Sequence, residues 1–240
     1  MTKSKFKTFL SFFYAVLIAL LIRTIVFEPY SIPTGSMKPN FLVGDYLFVS
    51  KYKYGISNSS FPLDPPLIDG RILVLDKPQR GDVIVFKSPH ERWTNYIKRL
   101  IGMPGDEIQL INGVVYINGT PADRKEEGTF TDTDGSVLQR YKETLPNGVS
   151  YYIAQENTYG SWSNTQVYKV PEGHYFFLGD NRDHSTDSRF GEYPIGFVPY
   201  KKLIGKAEEI IFSNPESIIY IWRWIFAFNK DRLFIRVKSL

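Results

Sequence analysis

A serine follows a glycine in the short run Pro-Thr-Gly-Ser-Met at residues 33–37, in a chain with few other catalytic groups. The 240 residues include no cysteine, which excludes thiolate chemistry, disulfides and cysteine metal sites. The histidines His90, His174 and His184 lack the H-E-x-x-H spacing of metal hydrolases. The remaining candidate is a hydroxyl nucleophile, Ser36, which needs a base for its proton and donors for an oxyanion.

Two side chains are candidates for that base. His184 is one, and Lys98 in the run Tyr-Ile-Lys-Arg-Leu-Ile-Gly is the other, because serine–lysine pairs are a known form of serine catalysis. Strand alternation places Lys98 on the same apolar face as Tyr96 and Leu100, and burial there would lower its pKa. Arg99 does not qualify, because a guanidinium keeps its proton. From these residues alone, both bases and a solvated Lys98 stay open.

An acidic run, Gly-Asp-Asn-Arg-Asp-His-Ser-Thr-Asp-Ser-Arg, occupies residues 179–189 and is called the acidic loop below. Its alternating polar residues suggest calcium, but an EF-hand starting at Asp183 would have glycine and glutamate where Ser188 and Pro194 stand. The chain also lacks a phosphate-binding G-x-x-x-x-G-K-[ST] loop and a G-x-S-x-G nucleophile elbow. The sequence therefore predicts a reaction without metal or cofactor.

The elements that must position these groups are predicted to be β-strands. Short runs rich in valine, isoleucine, phenylalanine and tyrosine alternate with glycine, proline and Asn-Gly, without a long helical period. The predicted strands cover residues 45–55, 71–76, 82–88, 95–102, 107–120 and 174–181. Asn112-Gly113 and Asn118-Gly119 predict hairpin turns, and the proline-rich segment 57–70 predicts an exposed loop.

Length and composition predict one mainly β domain with an insertion. A chain of 240 residues with 43% hydrophobic content can bury one sizeable core. We expect that core to combine residues 30–120 with 169–212, and the more polar segment 121–168 to form an inserted cap subdomain. The net charge of +4 arises from scattered basic residues, which argues against a nucleic-acid partner and suits an anionic membrane surface.

Both termini suggest contact with a membrane. Residues 9–27 are almost continuously apolar, and 19 residues in a helix extend about 28 Å, enough to span a bilayer. Three lysines in residues 1–8 predict a cytoplasmic N-terminus, and no Ala-x-Ala-like site follows, so we expect an uncleaved anchor. The tail, residues 213–240, has Trp222 and Trp224 near basic residues, which suits a membrane interface; packing on the core is an equal alternative.

Three segments in this order resemble the bacterial type I signal peptidase family. They are EPYSIPTGSMKP after the apolar run, YIKRLIGMPGD from residue 96, and the acidic loop followed by GFVP, so the resemblance runs from about residue 26 to residue 200. It implies a β-barrel or sheet core and a membrane-anchored serine protease. The enzyme would remove signal peptides from exported preproteins after small residues, at Ala-x-Ala sites, on the extracytoplasmic side of the cytoplasmic membrane.

The resemblance also implies roles for individual residues. Ser36 would be the nucleophile and Lys98 its general base, while the Ser36 N–H and the Thr34 hydroxyl would hold the oxyanion. Threonine stands at position 34 where serine is commoner in the family, and Gly35 would let the backbone present Ser36. Ser185 would donate a hydrogen bond to, or accept one from, Lys98.

Substrate binding and support are implied in the same way. The residues expected to line the substrate groove are Tyr30, Ile32, Met37, Tyr96 and Ile97. The expected supporting ion pairs are Asp180 with Arg99 and Asp187 with Arg189. The implied partners are preprotein signal peptides and the lipid bilayer, and we expect a monomer.

Two alternatives to a Ser/Lys protease stay open at this point. One is a membrane-tethered hydrolase that uses Ser36, His184 and a nearby aspartate. The other is a non-catalytic β-domain tethered to the membrane for binding. The position of His184, where the family often has asparagine, leaves its role open.

Overall fold

The computed structural model describes residues 3–61, 64–91, 93–132, 135–156, 162–191, 193–216 and 227–237. A helix, α1 (Lys3–Ile25), comes first and short strands follow. In chain order the strands are β1 (Phe27–Ser31), β2 (Asp45–Ser50), β3 (Val83–Lys87), β4 (Asn95–Gly102), β5 (Glu107–Ile111), β6 (Val114–Ile117), β7 (Thr120–Pro121), β8 (Asp123–Thr131), β9 (Val137–Thr144), β10 (Ser150–Gln155), β11 (Tyr168–Lys169), β12 (His174–Leu178), β13 (Val198–Pro199), β14 (Leu203–Ser213) and β15 (Ile235–Arg236).

The main sheet has eight strands within the described residues. Their order is β1-β2-β14-β3-β4-β12-β13, and β15 pairs with β14. The pairs are antiparallel, and β14 shifts its register against β2 and β3 at several points along its 11 residues. Such bulges bend a strand and increase its twist, so the sheet curls around the residues that it encloses. The mainly β fold expected from the sequence is therefore confirmed.

Two smaller sheets extend this core. One has the strand order β11-β5-β6-β7, and its turns confirm the predicted hairpins, because Asn112, Gly113, Asn118 and Gly119 all have positive φ. The other has the order β10-β9-β8 and is called the inserted sheet below. It lies within residues 121–168, the segment that the sequence predicts as an inserted cap.

The strand predicted over residues 71–76 is wrong. Ile72 forms only an isolated bridge with Ile56, and Leu73 and Leu75 are 69% and 74% exposed. Leu73 has a φ of 54°, outside the strand region, so the segment does not continue as a strand. An apolar run alone did not identify a strand here, because no neighbouring strand covers it.

The loop predicted over residues 57–70 is exposed only in its later part. Ser57 and Ser60 are 1% exposed, and they flank and close a single helical turn, Asn58–Ser60. The Ser57 N–H donates to Ser60 Oγ at 3.2 Å, and Lys51 Nζ donates to the Ser60 carbonyl at 2.7 Å. The Ser57 N–H and both oxygens of Ser60 thus have protein partners, which compensates their burial.

The two terminal segments differ in how they compare with the predicted membrane contacts. Within the part of the chain that the structure describes, no helix is both long enough and apolar enough to cross a membrane, so the span predicted over residues 9–27 is not shown. In the tail, β15 pairs with β14, and Arg232 donates to Asp45 at 2.5 and 2.9 Å. The described part of the tail therefore packs on the core, while Trp222 and Trp224 lie outside the described residues.

Strand β4 lies between two apolar clusters. Its Ile97 joins a cluster that includes Met37, while Leu100 joins a second cluster with Phe177 on the other face. Six consecutive residues at the end of β4 are buried as a result, a pattern typical of a strand covered on both faces. Lys98 lies within that buried stretch and has little contact with water.

The Arg71 guanidinium connects the irregular segment after β2 to the main sheet. It donates to the carbonyls of Tyr54 at 2.7 Å and Gly55 at 2.8 Å, and to those of Tyr200 at 2.9 Å and Leu203 at 2.7 Å. Burial lowers the pKa of Arg71 to about 10. Four backbone acceptors, rather than a carboxylate, thus compensate this cation.

We expect Arg71→Lys to lower the free energy of unfolding by about 3 kcal/mol, because an ammonium cannot reach four carbonyls and buried acceptors lose their donors. Denaturant titration of the full chain in detergent measures the change. The matched control is Arg140→Lys, since Arg140 donates to one carbonyl, that of Glu127 at 3.0 Å. Equal unfolding midpoints for the two variants would contradict this assignment.

Candidate active site

Ser36 lies in a single helical turn, Gly35–Met37, just after β1. Met37 is fully buried in the apolar core and so anchors the turn, while Ser36 is 7% exposed. The backbone N–H of Asn181 donates to the Ser36 carbonyl at 3.1 Å, and its side-chain amide donates to the Gly35 carbonyl at 3.3 Å. The acidic loop therefore holds the turn that carries the candidate nucleophile.

Lys98 contacts Ser36 directly. Its Nζ donates to Ser36 Oγ at 2.6 Å and to the Ile97 carbonyl at 3.1 Å. Burial lowers the pKa of Lys98 to about 8, although the charges of Asp187 and Asp180 act in the opposite direction. With that pKa, about one-tenth of the amine is neutral at pH 7 and can accept a proton.

Thr34 and Gly35 flank the serine on its N-terminal side. The Thr34 hydroxyl lies 3.4 Å from Ser36 Oγ and is on the exposed surface of the turn. A Cβ added at Gly35 would lie 3.1 to 3.3 Å from atoms of the Lys38 side chain, which forms an ion pair with Asp132. A larger residue at position 35 would therefore crowd the Lys38 side chain, which would have to shift by a few tenths of an ångström.

The two ion pairs expected in the acidic loop are present. Arg99 binds both carboxylate oxygens of Asp180, at 2.8 and 2.6 Å, and Arg189 binds both oxygens of Asp187, at 2.8 and 2.9 Å. Burial alone would raise the pKa of Asp187, but the charge and hydrogen bonds of Arg189 outweigh it and hold this pKa below its usual range. Both carboxylates near Lys98 are therefore paired with guanidinium groups.

The hydrogen bond expected between Ser185 and Lys98 is absent. Ser185 is 4% exposed, and its hydroxyl makes no hydrogen bond to Lys98; it faces the Asp187 carboxylate instead and helps to lower the pKa of that group. It packs against Gly179, where any added Cβ would collide with it. The Lys98 amine instead donates to Ser36 and to a main-chain carbonyl.

His184 lies on the surface, away from the serine. Its Nε2 is 3.2 Å from a Glu156 carboxylate oxygen, and the two side chains are 59% and 62% exposed. The partner of the Ser36 hydroxyl is Lys98, so the arrangement expected for a Ser-His-Asp hydrolase is not formed. Nor is there, in the described ranges, a cluster of three or more histidine or acidic side chains that could hold a metal ion.

The residues expected to line a substrate groove fall into two groups. Ile32, Met37 and Ile97 are buried in one apolar cluster, and Tyr30 packs against it. Tyr96 packs instead against the cluster on the other face of β4, with its ring 5.7 Å from the Lys98 amine. The structure thus brings four of the five together in the cluster that contains Met37, the residue after Ser36, and their role in substrate binding stays a prediction.

Two asparagines at this site were not singled out from the sequence. Asn181 holds the serine turn, and Asn40 donates to Asp180 Oδ2 at 2.6 Å and to the Tyr152 carbonyl at 2.7 Å. Asn181 lies inside the acidic loop, so that motif was a signal for it. No sequence motif indicated a role for Asn40, because its partners are more than 100 residues away in the chain.

Comparison with known proteins agrees with these features. A family model described as signal peptidase, peptidase S26, matches residues 5–212. A signal peptidase I from Rickettsia conorii is 49% identical over 212 residues, covering 85% of this chain and 78% of that protein. One from Rickettsia felis is 47% identical over 251 aligned positions, covering 95% and 92%. A crystal structure of a signal peptidase I from Enterococcus faecalis is 30% identical and covers 55% of this chain and 97% of its own, with a TM-score of 0.34, too low for a fold argument.

The Asp187–Arg189 ion pair should make the free energy of unfolding depend on pH in the acidic range. Because the folded-state pKa of Asp187 is lowered, its stabilising effect is present above the unfolded pKa of about 3.9 and is lost as pH falls through the folded value. The free energy of unfolding of Asp187→Asn should be about 3 to 5 kcal/mol lower than that of the wild type near pH 7. Below about pH 5 it should decline less steeply with falling pH than the wild-type value.

Unfolding free energies of the full chain in detergent between about pH 2 and pH 7 measure this effect. The exposed Asp69 supplies the matched control, Asp69→Asn. If the two variants had the same stability at every pH, the ion pair would not stabilise the loop.

Proposed function

Since this chain belongs to the signal peptidase family, peptidase S26, we propose that it removes N-terminal signal peptides from exported preproteins with Ser36 and Lys98 as its catalytic pair. Members of this family are serine endopeptidases, so the chain is a hydrolase of peptide bonds. The observation that carries the proposal is the 2.6 Å contact between a buried lysine amine and a buried serine hydroxyl.

In the first step, neutral Lys98 accepts the proton of Ser36 as Oγ attacks the scissile carbonyl carbon. The tetrahedral intermediate carries a negative oxygen, and the Ser36 N–H and the Thr34 hydroxyl are the donors proposed to stabilise it. The Lys98 ammonium then donates its proton to the leaving nitrogen. The peptide bond breaks, the mature protein leaves, and the signal peptide stays bound to Ser36 as an ester.

The second step uses the same amine again. Lys98, neutral once more, accepts a proton from water as that water attacks the ester carbonyl. Collapse of the second tetrahedral intermediate returns the proton to Ser36 Oγ and releases the signal peptide as a carboxylate. One buried amine therefore serves both halves of the reaction, which is why its pKa must lie close to the working pH.

The proposed specificity for small residues follows from the packing around the serine. Ile32, Met37 and Ile97 are at most 9% exposed, so a substrate subsite next to Ser36 would be walled by packed apolar side chains. An alanine side chain fits such a site with less rearrangement than a larger one. Each methylene discriminates by only about 1 to 3 kcal/mol, so two small residues, at an Ala-x-Ala site, would be read together.

We also propose that the chain is attached to the cytoplasmic membrane through α1, with the catalytic core on the extracytoplasmic side. The support is the apolar surface of this helix, on which Phe9, Phe12 and Phe13 are 60%, 68% and 52% exposed. Such side chains favour burial in lipid over exposure to water. Attachment would hold the catalytic core close to the apolar segment of a membrane-bound preprotein.

Replacing either member of the pair should abolish processing. With the purified full chain in detergent and a preprotein carrying an Ala-x-Ala site, we expect Ser36→Ala and Lys98→Arg each to lower kcat/KM at least 1,000-fold, because nucleophile or base is missing. His184→Ala should keep most activity.

These outcomes separate the candidate functions. Activity that survives Lys98→Arg but is lost in His184→Ala would favour a Ser-His-Asp hydrolase. A wild-type chain that cleaves no preprotein would favour the non-catalytic domain.

The absence of cysteine allows the membrane arrangement to be tested with single introduced thiols. In intact cells, a membrane-impermeant maleimide should label Leu67→Cys, because Leu67 is 68% exposed on the catalytic core. Lys5→Cys, before the apolar run, should be labelled only after permeabilisation. Equal labelling of both positions in intact cells would contradict the proposed topology, and the cysteine-free parent chain controls for background.

A further inference from the structure

Glu143 is a fully buried carboxylate in the inserted sheet, outside the catalytic pair. It lies in β9 directly opposite Tyr151 of β10, whose hydroxyl donates to it at 2.6 Å. Arg182, from the acidic loop, binds both of its oxygens, one of them at 3.0 Å. Burial alone would raise the pKa of Glu143, but Arg182 outweighs this effect and keeps the pKa below its usual value. The insertion therefore places a charged group against the acidic loop.

The first connection from Glu143 to the active site runs through Arg182. The Arg182 Nε donates to the Gly179 carbonyl at 3.2 Å, and the Arg182 carbonyl accepts from Arg189 at 2.6 Å. Its backbone N–H donates to the Ala154 carbonyl of β10 at 2.9 Å. On one side of Asp180 the loop backbone thus accepts from a side chain that Glu143 holds in place, and on the other side the Arg182 backbone is bonded to Arg189 and to β10.

The second connection runs through Tyr151. The Arg99 guanidinium lies 3.9 Å from the centre of the Tyr151 ring, a distance at which a cation is attracted to the ring face. Arg99 is the residue after Lys98 and binds both oxygens of Asp180. The two connections therefore meet at Asp180, next to the amine that contacts Ser36.

We propose that Glu143 and Tyr151 are positioning residues through which the inserted sheet holds the acidic loop and Lys98 in the arrangement that activates Ser36. The inference rests on the proposed function and assigns the insertion a part in it. It also explains a buried carboxylate in a segment that contributes no residue to the catalytic pair.

The expected effect is on the protonation of Lys98. The ionisable groups that face its amine are the carboxylates of Asp180 and Asp187, which raise its pKa, and the Tyr96 ring on its own strand. Burial lowers the pKa more than these carboxylates raise it. A loosened loop would admit water, so the pKa would rise toward its usual value, and each unit of increase leaves tenfold less neutral amine below the pKa.

The same sheet contains a matched control arrangement. The Tyr152 hydroxyl donates to Glu127 at 3.2 Å, and the Arg140 guanidinium lies 4.9 Å from the Tyr152 ring centre. This trio has the same residue types within the inserted sheet, but Arg140 donates to the Glu127 main-chain carbonyl rather than to its carboxylate and is not joined to Asp180. The test variants are Glu143→Gln and Tyr151→Phe, and their controls are Glu127→Gln and Tyr152→Phe.

The experiment measures kcat and KM of the full chain in detergent from about pH 6 to pH 10. Wild-type kcat/KM should rise with pH through about 8, where Lys98 loses its proton. In Glu143→Gln and Tyr151→Phe this rise should move to higher pH. At pH 7 we expect kcat to be reduced at least fivefold and KM to change less than twofold. At high pH the activity should be partly restored. The control variants should follow the wild-type profile.

A second readout does not require activity. The Lys98 signal in a ¹³C-lysine NMR titration, assigned by its loss in Lys98→Arg, should shift its pKa upward in the test variants and stay in place in the controls. If the Glu143→Gln variant does not fold, the result for Tyr151→Phe decides whether the proposal holds. Folded test variants with the wild-type pKa, or controls that shift equally, would overturn the proposal. A wild type that titrates as expected but cleaves no preprotein would instead contradict the proposed function.

Discussion

The proposed chemistry depends on one hydrogen bond, between a buried amine and a serine hydroxyl. Lowering the pKa of Lys98 from 10.5 to about 8 corresponds to roughly 3 kcal/mol of lost stabilisation for the ammonium form. The rest of the fold supplies that energy by packing apolar clusters on both faces of β4. A less complete core would let water reach the amine, and the amine would then be protonated at neutral pH.

The carboxylates around this amine create a second constraint. Two of them lie close enough to raise the pKa of Lys98, yet the acidic loop must remain close because Asn181 holds the serine turn. Each carboxylate is bound at both oxygens by an arginine, Asp180 by Arg99 and Asp187 by Arg189. Paired in this way, the carboxylates order the loop while their attraction for the lysine proton is weakened.

The insertion illustrates how a polar segment becomes part of a buried site. The buried positions of β9 and β10 include a glutamate and a tyrosine as well as aliphatic residues. Burying a charge is unfavourable unless a partner compensates it, and here the partner comes from the acidic loop. The inserted sheet therefore supplies the carboxylate that compensates the buried arginine of the loop, and the loop supplies the arginine that compensates the buried carboxylate of the sheet.

The sequence by itself restricted the candidate chemistry to a serine nucleophile with a lysine or histidine base, and it predicted much of the strand pattern. With cysteine absent and histidine scarce, few residue types could activate Ser36, and the hairpin turns followed from Asn-Gly pairs whose backbone preference is local. Where a signal depended on distant neighbours, only the tertiary structure decided. The apolar run at 71–76 is not a strand because no strand of the described residues covers it, and Ser185 packs against Gly179 without a bond to Lys98. Asn40, Glu143 and Tyr151 join the site through partners that no local pattern specifies, since burial and pairing are properties of the folded chain.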